Sequence, residues 1–136
     1  MANTFTAPFA QTPKTATAVC TAAATLTDTP TNTVLLATAG ADGAILTRLT
    51  AIPRATVTAS SLVIFISKDA GTTQRLIDSE LMAAHTVAAT TAIPETVFAA
   101  YSEAAPLRLE AGDRIYVGSA VALASGIVFR AEYTDF

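Results

Sequence analysis

Ionic side chains are scarce in this sequence. Only 14% of its 136 residues are Asp, Glu, Lys or Arg, where an ordinary soluble domain carries about 25%. There is no Trp, one Cys and one His, and each shortage removes a class of chemistry. With Cys20 alone, neither an intrachain disulfide nor a cage of several thiolates can form. With His85 alone, the two- and three-histidine metal sites are excluded. The 8 bases are scattered from Lys14 to Arg130 with no two adjacent, and the net charge is −3. Such a chain repels phosphate and offers no basic face, so nucleic acid is not an expected partner. The longest uncharged apolar run, residues 115–129, is broken by Gly118, Ser119, Ser125 and Gly126. A membrane helix needs about 20 apolar residues, so a membrane is not expected as a partner either. The opening Met-Ala-Asn-Thr-Phe5 lacks the basic and apolar regions of a signal peptide, and no secretory leader is expected.

What the chain has instead is alanine and threonine, roughly two residues in five together. These side chains build little core but cover surface with small groups of low entropy, which suits protein laid against protein. The rest of the pattern is that of strands. Near the C-terminus, residues 106–109 lead into a tight Glu110-Ala-Gly-Asp113 turn, where Gly112 supplies positive φ and Asp113 can bond its own backbone. A long strand over 114–123 follows, then a Ser125-Gly126 break and a last strand over 127–134. Ile115, Val117, Ser119, Val121 and Leu123 share one face of the first; Ile127, Phe129, Ala131 and Tyr133 share one face of the second. These two are expected as neighbours, a template on which another sheet packs. Earlier in the chain, strands are expected over 15–27, 33–39 and 44–50, with Asp42-Gly43 favouring a hairpin and Pro53 ending regular pairing. Residues 62–66 are apolar on both faces, as a central strand is, or an edge strand covered by a neighbouring subunit. Residues 74–84 fit either a strand or a helix capped at Thr72 or Thr73; strand is preferred because 86–92 continue without a helix stop. Another strand is expected over 96–102. Eight or nine short strands with Gly, Pro, Asp and Asn turns and no βαβ unit predict an all-β sandwich, and the strand count favours a jelly roll.

Residues 1–13 carry no charge, two prolines (Pro8, Pro13) and two aromatics (Phe5, Phe9). They are expected to form an extended arm that docks on something, ahead of a single sandwich domain over 14–136. No reactive constellation emerges. Cys20 and His85 formally allow a dyad, but Cys20 has only Lys14 as a nearby cation and reads as a small hydrophobe. Asp78 with Glu80, or Glu110 with Asp113, could pair as in a glycosidase, yet a solvated strand face and turn chemistry account for them. The Asp42-Gly43 and Asp69-Ala-Gly71 turns offer one carboxylate each, too few for calcium. Phosphate loops and Gly-x-Ser-x-Gly elbows do not occur. An enzyme is therefore not expected, and no cofactor or metal is implied.

Five segments together resemble the small head-decoration (cement) proteins of tailed bacteriophages: Thr4-Phe-Thr-Ala-Pro-Phe9, the Ala/Thr-rich strands, Arg75-Leu-Ile-Asp-Ser-Glu-Leu-Met82, Leu109-Glu-Ala-Gly-Asp-Arg-Ile-Tyr-Val117 and Phe129-Arg-Ala-Glu-Tyr-Thr-Asp-Phe136. The resemblance spans the whole chain in size and pattern. It implies a sandwich that forms homo-oligomers, dimers or trimers, on the outer capsid surface of a virion assembled in a bacterial cytoplasm. There it bridges neighbouring subunits of the major capsid protein. An acidic, sparsely charged surface agrees with the outer face of a head, and thirteen extended residues reach about 40 Å, enough to cross to an adjacent subunit. Phe5, Pro8 and Phe9 are the expected arm contacts, and Leu62, Ile64 and Ile66 the expected oligomer contacts. The alternative is a phage tail or fibre module that recognises a host surface. That role would set aromatics in variable loops, whereas Tyr101, Tyr116 and Tyr133 fall in expected strands. A secreted adhesion domain is a third reading, and it calls for a leader.

Overall fold

A computed structural model describes residues 12–136, and among these it contains nine strands and no helix. In chain order they are β1 (Thr12–Cys20), β2 (Val34–Thr38), β3 (Ala44–Pro53), β4 (Ser60–Ser67), β5 (Arg75–Met82), β6 (Thr96–Val97), β7 (Leu107–Leu109), β8 (Arg114–Ser119) and β9 (Ile127–Asp135). They form two antiparallel sheets packed face to face, so the all-β sandwich expected from the sequence is the fold. The first sheet runs β1-β9-β3, with β6 and β7 both on the far edge of β3; the second runs β2-β8-β4-β5. The pairs β1·β9, β2·β8, β3·β6 with β3·β7, and β4·β5 are nested one inside the next. The chain thus folds back on itself about the loop between β4 and β5.

Alternation with a period of two decides which side chains enter the space between the sheets. Along β9, Ile127, Phe129, Ala131 and Tyr133 are buried, while Arg130 is exposed. They meet Ile115 and Val117 of β8, Leu62 and Ile64 of β4, and Leu46 and Leu49 of β3 in one continuous core. Phe98, just past β6, closes the open side of the core with its ring 6.5 Å from that of Phe129.

Several expectations about individual strands are corrected. The two C-terminal strands are not neighbours: β8 and β9 belong to opposite sheets and face each other across the core. Asp42-Gly43 makes no hairpin, because β2 and β3 also lie in different sheets. Gly112 does take the positive φ expected of it, 76°, but its turn too carries the chain from one sheet to the other. Thr12 and Pro13, expected to precede the sandwich, already pair with Asp135 and Thr134 in β1. Pro13 is tolerated there because β1 is an edge strand. The ambiguous segment is strand β5, yet residues 86–92 do not continue it, and the strand expected over 96–102 is only Thr96–Val97.

The two-sided apolarity of β4 has an internal cause. The strand is central, with β8 on one side and β5 on the other. Leu62 and Ile64 point into the core, whereas Val63 and Phe65 point to the outer face and are nonetheless buried. The connection between β1 and β2 lies across that face. Ala24 N–H donates to Ser119 O at 2.8 Å, and Gln74 N–H donates to Asp28 O at 2.8 Å, which ties the connection to β8 and to the start of β5. Arg75 Nη1 to Asp28 Oδ2 (2.6 Å) and the Thr33–Gln74 side-chain bond (2.8 Å) secure the same crossing.

Candidate functional site

The reactive side chains singled out in the sequence are scattered and structurally occupied. Cys20 ends β1 with 1% of its surface exposed, and its thiol donates to Val117 O at 3.4 Å. Loss of solvent pushes its pKa up to about 12, so a thiolate is not formed near neutrality. His85 sits in an isolated bridge with Val57, where both backbone N–H groups donate across at 2.9 and 3.0 Å. Asp113 is held in its turn: Oδ2 accepts from the Glu110 N–H at 2.9 Å and from Lys68 Nζ at 2.9 Å. Asp135 is the other buried carboxylate. Lys14 Nζ lies 2.5 Å from its Oδ2, and the Gly40 N–H donates to Oδ1 at 3.1 Å. The Lys14 hydrogen bond comes first among the causes that lower its pKa, with Gly40 helping and burial opposing. Among the described residues no group of His, Cys, Asp and Glu has the arrangement of a metal site.

Phe5, Pro8 and Phe9 lie outside the described residues. Leu62 and Ile64 require a correction, because both are fully buried in the core and out of any partner's reach. Ile66 is partly buried and packs against the same cluster. The structure therefore places Leu62 and Ile64 in the core, where their apolarity reports on packing within one chain, and Ile66 at its margin.

Four of the seven large apolar side chains exposed among the described residues lie on β5 and β6, which form adjacent edges, and two of them, Leu81 and Val97, line one cleft. Leu76, Ile77 and Leu81 of β5 and Val97 of β6 are all exposed, Leu81 to 69%. That cleft, of about 290 Å³, opens between the two edges, lined by Glu80, Leu81, Met82, His85, Glu95 and Val97 among others. On its inner side β5 turns Asp78 and Glu80 toward the mouth of the sandwich, opposite Ile64 and Leu62. Asp78 Oδ1 accepts from the Ser79 N–H at 2.8 Å; Oδ2 is buried and has no hydrogen-bond partner among the described residues. The half-buried Tyr101 phenol sits beside Asp78, and its pKa is raised by burial first and by the carboxylate second. Arg48 and Glu95 form an exposed pair at 2.9 Å on the β6 side.

Sequence reasoning places Leu76, Ile77 and Leu81 in an expected strand and offers none of them as a contact residue. A signal was present, since these residues sit on both faces of a segment that also carries Asp78 and Glu80. Apolar and acidic side chains sharing one strand mark an edge more than a centre. Comparison with protein families, curated proteins and solved structures finds no match for this chain.

Proposed function

We propose that this chain is a structural binding protein without catalytic activity, a virion decoration or cement protein that attaches to the outer surface of a major capsid protein lattice. The observation that carries the reading is the gathering of exposed Leu76, Ile77, Leu81 and Val97 along the β5 and β6 edges of a sandwich with so few ions. Large apolar groups exposed together mark a surface that another protein covers. The resemblance in size and pattern to head-decoration proteins supplies the kind of partner. The sandwich itself is read as a jelly roll. That reading is supported by the nested pairing and by the strand orders β1-β9-β3-β6 and β2-β8-β4-β5, in which the chain crosses repeatedly between sheets. Self-association as a dimer or trimer and repetition over a lattice would add many modest contacts, so that retention comes from avidity.

An antibody raised against the chain tests this on phage particles induced from the bacterium that carries the gene. Immunogold on the outside of heads is the expected result. Label on tails would replace the reading with host recognition, and unlabelled particles would remove it. Deleting residues 1–11 should abolish attachment while leaving the circular dichroism of the sandwich unchanged; retained attachment would take the arm out of the mechanism.

A further inference from the structure

We propose that the free edge of β5 receives an extended segment of a different protein, one that presents Lys or Arg toward Asp78 and Glu80 and apolar residues on its other face. The inference rests on the reading of the β5 and β6 side as a binding face, and it names what that face accepts. Among the described residues β5 pairs only with β4, so along its other side a strand can be added. Leu76 and Leu81 stand opposite Phe65 and Ser61 on the outer face, while Asp78 and Glu80 stand opposite Ile64 and Leu62 on the inner one. An arriving strand must match this division, because directly opposed residues share a face.

A second copy fails that requirement, because Arg75, the one base on β5, is already taken up by Asp28 Oδ2 at 2.6 Å and is not free to oppose the other copy's carboxylates. In a two-fold antiparallel pairing of β5 with itself, a register centred on residue 78 sets Asp78 against Asp78 of the other copy. Centred on residue 79 it sets Asp78 against Glu80 twice, and centred on residue 80 it sets Glu80 against Glu80. Like charges directly opposed are destabilising, and inward-facing carboxylates on an edge are a known means of refusing such pairing. A basic strand reverses the sign of every one of these contacts. Asp78 Oδ2, buried beside the Tyr101 phenol and without a hydrogen-bond partner among the described residues, swings outward to meet that cation. Drawing that carboxylate away frees the Ser79 N–H, now held by Oδ1 at 2.8 Å, to join the new ladder. Charge recognition and backbone pairing are thereby coupled at one residue.

The test uses the full chain, isotopically labelled, titrated with an acetylated eight-residue peptide of alternating Val and Lys, and separately with the same peptide carrying Glu for Lys. The Val–Lys peptide should shift the amides of residues 76–83 and protect them from exchange, and the Val–Glu peptide should not. The double variant Asp78→Asn, Glu80→Gln should weaken binding at least tenfold. Ser79→Pro, which leaves both carboxylates and the outer leucines in place, should abolish it while the remaining amide spectrum is kept. Equal binding of the two peptides, shifts centred elsewhere, no binding at all, or full binding by the Ser79→Pro chain would each overturn the proposal. Peptide binding without particle labelling would sink the virion reading alone, and labelling without peptide binding would sink this inference alone.

Discussion

Asp135 shows how one ion pair is tied to the whole sandwich. It is the last residue of β9, it holds Lys14 of β1, and it accepts from Gly40 in the turn that leads to β3. Its pKa is lowered, chiefly by the Lys14 hydrogen bond, so the folded state binds a proton less readily than the unfolded chain. The stability this adds is complete above the unfolded carboxyl value of about 3.9 and is lost as the pH falls through the lower folded value. Asp135→Asn should therefore be less stable than the parent at pH 7, with the gap closing as the pH falls below the unfolded carboxyl value of about 3.9 and through the lower folded one. Urea unfolding at several pH values checks this; a deficit that stays constant into acid would show that the lost charge is not the cause.

At the scale of the element, the connection between β1 and β2 counts as part of the fold. It covers the outer face of β4, and Gly118 of β8 is what lets it come close. A Cβ at that position would sit 2.8 Å from Ala24 Cβ, with Val63 Cγ2 at 3.5 Å behind it. Gly118→Ala should cost about 1–3 kcal/mol through overpacking, read as a lower urea midpoint together with new dye binding at the uncovered Phe65. An unchanged midpoint would mean that the connection rides free of the sheet. This covering explains what was legible in the sequence and what was not. The alternation in β9 and the turn at Gly112 are local, and both were readable. Whether Val63 and Phe65 face a neighbour or their own chain depends on residues about forty positions earlier, which no local pattern reports. Sheet membership was hidden for the same reason. The turns at Asp42-Gly43 and Gly112 look like hairpin turns, but the strands they join pair with others far along the chain. The β5 edge is half legible: Asp78 and Glu80 read as a carboxylate pair on a solvated strand face and Leu76, Ile77 and Leu81 as strand alternation, but nothing local says which of these apolar groups stay uncovered.

For the whole molecule, nested pairing places most of the ladder between distant segments. Among the described strands only β4 and β5 are paired neighbours in sequence, joined through residues 68–74. Their loop is built locally: Asp69 Oδ1 accepts from the Thr73 N–H at 2.8 Å and from Ser67 Oγ at 2.9 Å, and Ser67 Oγ accepts from the Gly71 N–H at 2.8 Å. This hairpin can form early at small entropic cost, whereas β1 can pair with β9 only after nearly the whole chain has been gathered in. Folding should accordingly take milliseconds to seconds, as in other sandwiches dominated by non-local contacts. Asp69→Ala, which removes the acceptor at the loop, should slow folding in proportion to the stability it removes, whereas Asp135→Asn at the last pair should mainly speed unfolding. Stopped-flow chevrons of the two variants decide the order. If Asp135→Asn slows folding and Asp69→Ala leaves the rate unchanged, closure starts at the β1·β9 end and the hairpin forms late.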